Sequence, residues 1–447
     1  MLQHRITRRH LLSGLGGTAL LSFLGRASAL AQSTPPGYKA LVCVFLSGGN
    51  DSHNMIVPIT GTQFTSYKSA RGSLALPDGN GALLSVVATD GTAYGLNPGL
   101  QTIHPLWGQG RLAVLANAGM LVQPVTRAAY LANAVSVPTN LFSHSDQIQQ
   151  MQSGIPSTSG GTGWGARAAD SLQSMNQGSS FPATVSISGP ALFCQGKVVT
   201  SASLWPGFNL DASGMSLWPQ AAADARMNGF QQVLQFDSGL ELIQSANHVR
   251  QDAVALNALL SGSSASIATP FPGTSLGNQL QQVAKIIKLR TSTGMSRQVF
   301  FCSLGGFDTH GSQSWQHWDL LRQLSEAISA FYAATIELGL PDDVTTFTLS
   351  DFGRTLQPSG SGSDHGWGSH QLILGGAVQG GTIYGTFPTL ALGGPDDSGA
   401  RGAMVPTTSI DQFGATLAAW FGVPTAELPV VFPNLGNFAV TNLGFMG

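Results

Sequence analysis

The chain has 447 residues, 43% hydrophobic and only 9% charged, against about 25% charged in ordinary globular chains. A formal net charge of -2 leaves no basic surface for nucleic acid or anionic lipid. Three cysteines, Cys43, Cys194 and Cys302, cannot all pair and follow no zinc-ribbon spacing, and the length allows one large α/β domain or two smaller ones.

Residues 1–31 read as an export signal. Arg5, Arg8 and Arg9 precede the apolar run Leu11 to Leu24, and Ala29-Leu30-Ala31 offers a small-residue cleavage site. Thr7-Arg8-Arg9-His10-Leu11-Leu12 resembles a twin-arginine signal. The expectation is passage through the twin-arginine translocase to a periplasmic or secreted destination, leaving 32–447 as the mature domain. No later segment has the apolar length of a transmembrane helix, so no membrane association is expected after cleavage.

Ala40 to Leu46 is a continuous apolar run, as expected of a strand buried on both faces of a parallel sheet. It ends in Gly48-Gly49-Asn50-Asp51, where glycines let the backbone turn and Asp51 project from the strand end. Arg111 to Ala118 reads as a second strand. In the Ser136 to Gln147 stretch, Ser143 or Ser145 is placed to cap a helix over 147–152. A hydroxyl there is also well placed as a nucleophile toward an anionic substrate. Pro182 to Ser188 reads as a short strand. Residues 189–275 read as an insertion shaping a cleft, with a helix from Glu241 to Leu260.

Thr274 or Ser275 is expected to cap a helix carrying Leu276, Leu280, Val283 and Ile287. Gln298 to Leu304 is a buried strand leading to Asp308 and His310. A helix from Trp318 to Leu338 follows, then a strand Val344 to Leu349. Next come Asp351, a Pro/Gly/Ser loop, Asp364-His365, His370, an apolar run Gln371 to Val378, and a last helix, Ile410 to Phe421. Strands alternating with helices predict an α/β fold with a largely parallel central sheet flanked by helices. Cys43 and Cys302 are read as buried strand cysteines, with a disulfide between them as the alternative.

Three glycine-rich loops at predicted strand ends thus offer Asp51, Asp308, His310, Asp351, Asp364, His365 and His370. Carboxylates with imidazoles suit a divalent metal ion such as zinc or manganese, and carboxylates alone would suit calcium. Arg354 can fork onto an anionic group or hold one of the few acids. His53 and His317 are candidates for outer positions, while His104 and His248 receive no role.

The words GGFDTHG, SDFGRT, DHGWGSH and GGAVQGGTIYGTFP, with the export signal and the early GGND, resemble an uncharacterised exported bacterial family, domain of unknown function 1501. That family is related to the alkaline phosphatase and sulfatase superfamily. The resemblance implies an alkaline-phosphatase-like fold and a metal-dependent hydrolase of phosphate or sulfate esters. It implies metal ligation by Asp51, Asp308, His310, Asp351 and a late His, His365 or His370, and a nucleophilic hydroxyl in the 136–145 stretch, for which Ser143 is the candidate, with Arg354 as a further catalytic candidate. The partner implied is a small anionic ester or a sulfated or phosphorylated glycan. Two departures stand out: Phe352 follows Asp351 where the phosphatase pattern has His, and Asn140 stands where the sulfatase pattern has Arg. They leave open a non-catalytic metal- or carbohydrate-binding relative, and Gly49-Asn50-Asp51 leaves open a metal-free Ser/Asn/His esterase.

Overall fold

In the computed structural model the described residues are 37–77, 82–157, 161–179, 181–206, 217–237, 239–241, 243–244, 246–247, 250–251, 254 and 265–447. The stretch read as an export signal, His248 and much of the helix expected over 241–260 lie outside them.

A nine-stranded sheet organises the chain. Its order is Ile383–Tyr384, Leu112–Gly119, Ser369–Leu374, Val344–Ser350, Lys39–Ser47, Arg297–Gly305, Thr184–Ser186, Ser201–Ser203. Thr408–Ser409 also pairs with Leu112–Gly119. Lys39–Ser47 is central, parallel to both neighbours, and its residues Ala40 to Leu46 are all buried. Such apolar side chains each contribute about 1.5–3 kcal/mol on burial, so this run anchors the core. Only Ser369–Leu374 runs against its neighbours. Its first residues therefore reach the same edge as the C-terminal ends of the other strands.

The face bearing Phe45, Phe301 and Phe347 is covered by aromatic contacts from Trp164, Phe193 and Phe413. Helices Trp164–Asp170 and Ile410–Phe421 supply Trp164 and Phe413. Helix Ile410–Phe421 begins with a capping box at Ser409 and Gln412, which satisfies donors that would otherwise be orphaned at the helix start. Helix Ser275–Lys288 packs on Arg297–Gly305 and on the long helix Gln313–Glu337. Thr274 caps it, accepting from Gly277 N at 3.1 Å.

Two stretches differ from the sequence expectation. The Pro/Gly/Ser loop after Arg354 is a two-stranded hairpin, Arg354–Ser359 against Gly362–His365, turning at Gly360. Its polar alternation is too short for a periodicity signal. The strand expected over 371–378 is Ser369–Leu374. All three cysteines are free and buried. Cys43 pairs in register with Phe301, and Cys302 with Val44. Side chains alternate across a sheet, so the two thiols emerge on opposite faces and cannot join.

Candidate metal centre

Glycine fixes the first contact at the strand ends. Gly48 has φ +116°, and a Cβ there would lie 2.4 Å from Asp308 N. The first strand's exit is thereby pressed against the loop bearing Asp308. Gly48 N also donates to Asp351 Oδ1 at 3.0 Å, tying together the loops after strands Lys39–Ser47, Arg297–Gly305 and Val344–Ser350.

Above them stands His144, the first residue of helix His144–Ser153. Its Nδ1 donates to Asp351 Oδ2 at 2.7 Å. His365, at the hairpin's end, donates from Nδ1 to the Phe142 carbonyl at 2.7 Å. Phe142 holds φ +72°, a conformation that is a genuine outlier for a bulky residue and is typical of functional segments. With Nδ1 donating in both rings, it is Nε2 of each that can present a lone pair. These two nitrogens are 3.2 Å apart, and each is 3.4 Å from Asp308 Oδ1.

His310 closes the group, with Nε2 3.0 Å from Asp308 Oδ1 and 3.2 Å from His365 Nε2. Its Nδ1 lies 3.6 Å from the Asp364 carboxylate. The residues fit a divalent cation. His144, Asp308 and His365 offer ligand atoms all within 4.8 Å of one another, and the 3.2–3.4 Å separations match the about 3.3 Å edge of a tetrahedron with Zn–N bonds near 2.0 Å. An outer acceptor on Nδ1 is the usual device that fixes a ligating histidine's tautomer. Asp308 and His310 are about half exposed, so the group is open to solvent.

The electrostatics follow. Asp351, by accepting from His144, holds that imidazole's pKa above its ordinary value. Burial pushes His365 down, against the Phe142 carbonyl that raises it. Burial opposes the charge on Asp308, but Arg354, with His144 and His310, outweighs it and holds the carboxyl below its ordinary value. Arg354 is fully buried and donates from Nη1 to Asp308 Oδ1 at 2.9 Å. Its Nε and Nη2 have no partner. Phe352 packs on both His144 and His365, with ring centroids 4.7 Å apart in each case. The ring that replaces a histidine of the phosphatase pattern is therefore a wall for the cluster.

Of the expected ligands, Asp308, His310 and His365 come together, and Asp351 stands behind His144, to which it is hydrogen-bonded. Asp51 and His370 do not join them. Asp51 Oδ2 is taken by Arg71 and Gln313, both buried. His370 Nδ1 accepts from Asn117 N at 2.9 Å, so its Nε2 carries the proton, and neither nitrogen has a lone pair to give a metal. Its ring lies edge-on to His53 at 5.2 Å and against Phe387. His317 bonds Asn50 Oδ1 at 2.9 Å.

Ser143 occupies the N-cap position, but its hydroxyl caps no backbone N–H and donates instead to Asp146 at 2.5 Å. The residue missed in the sequence is His144. The signal was present, since Ser143-His144-Ser145-Asp146 places an imidazole at a helix start, but nothing local revealed that it meets Asp308.

This is an α/β protein with a largely parallel sheet flanked by helices and an imidazole–carboxylate cluster at the strands' C-terminal edge. The chain belongs to the family described as protein of unknown function (DUF1501), whose model matches residues 38–407. No curated protein matches it. Among solved structures it is similar to the PsFucS1 sulfatase from Pseudoalteromonas sp., at 10% identity and TM-score 0.32, over 82% of this chain and 69% of that one. It is similar to the lipoteichoic acid synthase LtaP from Listeria monocytogenes at 8% and 0.32, over 90% and 78%. It is similar to Thermus thermophilus alkaline phosphatase at 12% and 0.24, over 71% and 60%. Likenesses this distant say nothing of activity. No helix among the described residues is long and apolar enough to cross a membrane.

Proposed function

We propose that the chain is an exported, metal-dependent hydrolase of phosphate or sulfate esters, sent out through the twin-arginine route by residues 1–31. The observation that carries this reading is the convergence of the Nε2 atoms of His144 and His365 on Asp308 Oδ1. His310 completes the set from the solvent side. Imidazole-rich ligation favours zinc or manganese over calcium. A divalent cation so held polarises an ester oxygen and lowers the pKa of a water or hydroxyl.

The chain's own residues do the rest. Asp351 and the Phe142 carbonyl fix the tautomers of His144 and His365. Arg354 holds Asp308, and its unpartnered Nε and Nη2 add positive potential where an anionic ester docks. Phe352 excludes water from the inner side. Ser143 is the candidate nucleophile, one residue from His144.

One observation favours a second reading, a non-catalytic metal-binding relative. The Ser143 hydroxyl, with Asn140, holds the Asp146 carboxyl below its ordinary value, which makes Asp146 a weak base for activating that hydroxyl. Metal analysis, chelator dialysis and metal add-back with aryl phosphate and aryl sulfate separate the readings. Turnover lost on chelation and restored by zinc or manganese, and abolished in Ser143→Ala, supports hydrolysis with Ser143 attacking. Turnover retained in Ser143→Ala assigns the attack to water. Bound metal without turnover supports the binding relative. A metal-free protein whose hydrolysis ignores chelators sinks the proposal and revives the Ser/Asn/His esterase.

A further inference from the structure

A cleft of about 310 Å³ lies at the same sheet edge as the histidine cluster. Its polar lining is Ser47, Gln149, Gln152, Ser188 and Ser303, with Ile148 and Phe301 among the apolar walls. No residue lining it is titratable. The cluster next to it gathers Asp308, Asp351, Arg354 and three histidines.

The walls of the cleft continue the elements that hold the cluster. Ile148 is one helical turn beyond His144 on helix His144–Ser153, about 6 Å along the axis. Ser47 precedes Gly48, whose N–H is bonded to Asp351. Ser303 stands two residues before the end of strand Arg297–Gly305. Ser188 stands in the cleft wall, its Oγ buried and without a partner among the described residues. Gln149 is exposed on helix His144–Ser153.

We infer that this cleft receives the uncharged, hydroxyl-rich part of the ester, a neutral sugar or sugar alcohol, while its single anionic group faces the histidine cluster. The inference rests on the hydrolase reading and narrows it. Hydroxyls and an amide match the donors and acceptors of a polyol, and Ile148 and Phe301 meet the C–H face of its ring. With no cation in the lining, a second phosphate or sulfate on the same ring would be buried without a counter-charge, which is costly. The preferred substrate is therefore a monoester of a neutral sugar rather than a multiply charged glycan.

Two variants test this outside the cluster. Ser188→Trp fills the cleft, and Gln149→Ala removes one exposed amide at little risk to the fold. The expected result is that KM for a sugar monophosphate or monosulfate rises about tenfold or more, while kcat/KM for the aryl ester stays within about twofold. Saturation-transfer NMR with a panel of neutral monosaccharides is expected to show contact with the native chain and loss in Ser188→Trp. Should Ser188→Trp fail to fold, Gln149→Ala decides. Equal loss on both ester classes, no saccharide contact in the native chain, or contact surviving in a folded Ser188→Trp each overturns the inference. If no ester is turned over at all, the hydrolase reading fails, and the NMR still reports on the cleft.

Discussion

Two groups of histidines lie at the same edge of the sheet and have opposite chemistry. In the first, His144 and His365 each give the Nδ1 proton to an oxygen, from Asp351 and Phe142, and turn a lone pair toward Asp308. In the second, His370 receives a backbone N–H on Nδ1, and neither nitrogen of its neighbour His53 has a partner. Both rings of the second pair are fully buried, while the first group opens to solvent through Asp308 and His310. What fits an imidazole for ligation here is the acceptor behind it and an open side in front, not its place in a histidine-rich word.

The sharpest way to break this contrast is to delete one ring from each group. His144→Ala is expected to lower affinity for zinc or manganese by more than about 100-fold, beyond the usual cost of losing an outer partner. His370→Ala is expected to leave metal affinity unchanged and to lower stability only, read by metal titration and thermal melting. If His370→Ala abolishes metal binding as completely, the contrast between the two groups fails.

Asp351→Asn probes the acceptor itself. The amide can present its N–H₂ to His144 Nδ1, which favours the tautomer with its proton on Nε2. The expected loss is about 10–100-fold in metal affinity with the fold retained, since Asp351 acts behind His144. Affinity equal to that of the native chain would show that the tautomer is set elsewhere.

The smallest effect lies in the pH dependence of stability. Burial lowers His370 from 6.5 to about 3, so the unfolded chain takes up its proton first. Stability from this group is present above pH 6.5 and is lost as pH falls toward 3, by up to about 1.4 kcal/mol per pH unit. His53, lowered chiefly by burial as well, acts in the same direction. In the metal-free chain His144 has the opposite sign, because its pKa is raised above 6.5. It favours folding at low pH and loses that contribution as pH rises through the raised value. Urea melts of His370→Phe between pH 4 and pH 7 are expected to show a shallower acid limb than the native chain. An unchanged limb would mean that His370 does not carry it.

Much of the scaffold was legible because burial leaves a mark on the residues themselves. The run Ala40 to Leu46 is apolar at every position, as a central parallel strand must be, and Ile410 to Phe421 keeps the spacing of a helix with a core face. The glycines around Asp51, Asp308 and Asp351 marked the turns that bring loops together. The hairpin from Arg354 to His365 left no such mark. Its pairing joins polar residues, and its register is fixed by contacts with distant loops rather than by an apolar pattern.

By itself the sequence determined which stretches become strands and helices, and that acids and imidazoles gather where strands end. Hydrophobic periodicity and glycine are local properties, written residue by residue. Only the tertiary structure decided which of those side chains meet. Asp51 was drawn to Arg71 and Gln313, and His370 into a pocket with His53, while His144, from a stretch read only for its hydroxyls, came to face Asp308. Those outcomes depend on which buried donor lies nearest each acceptor once the sheet has formed, and residues 20 to more than 250 positions apart settle that question.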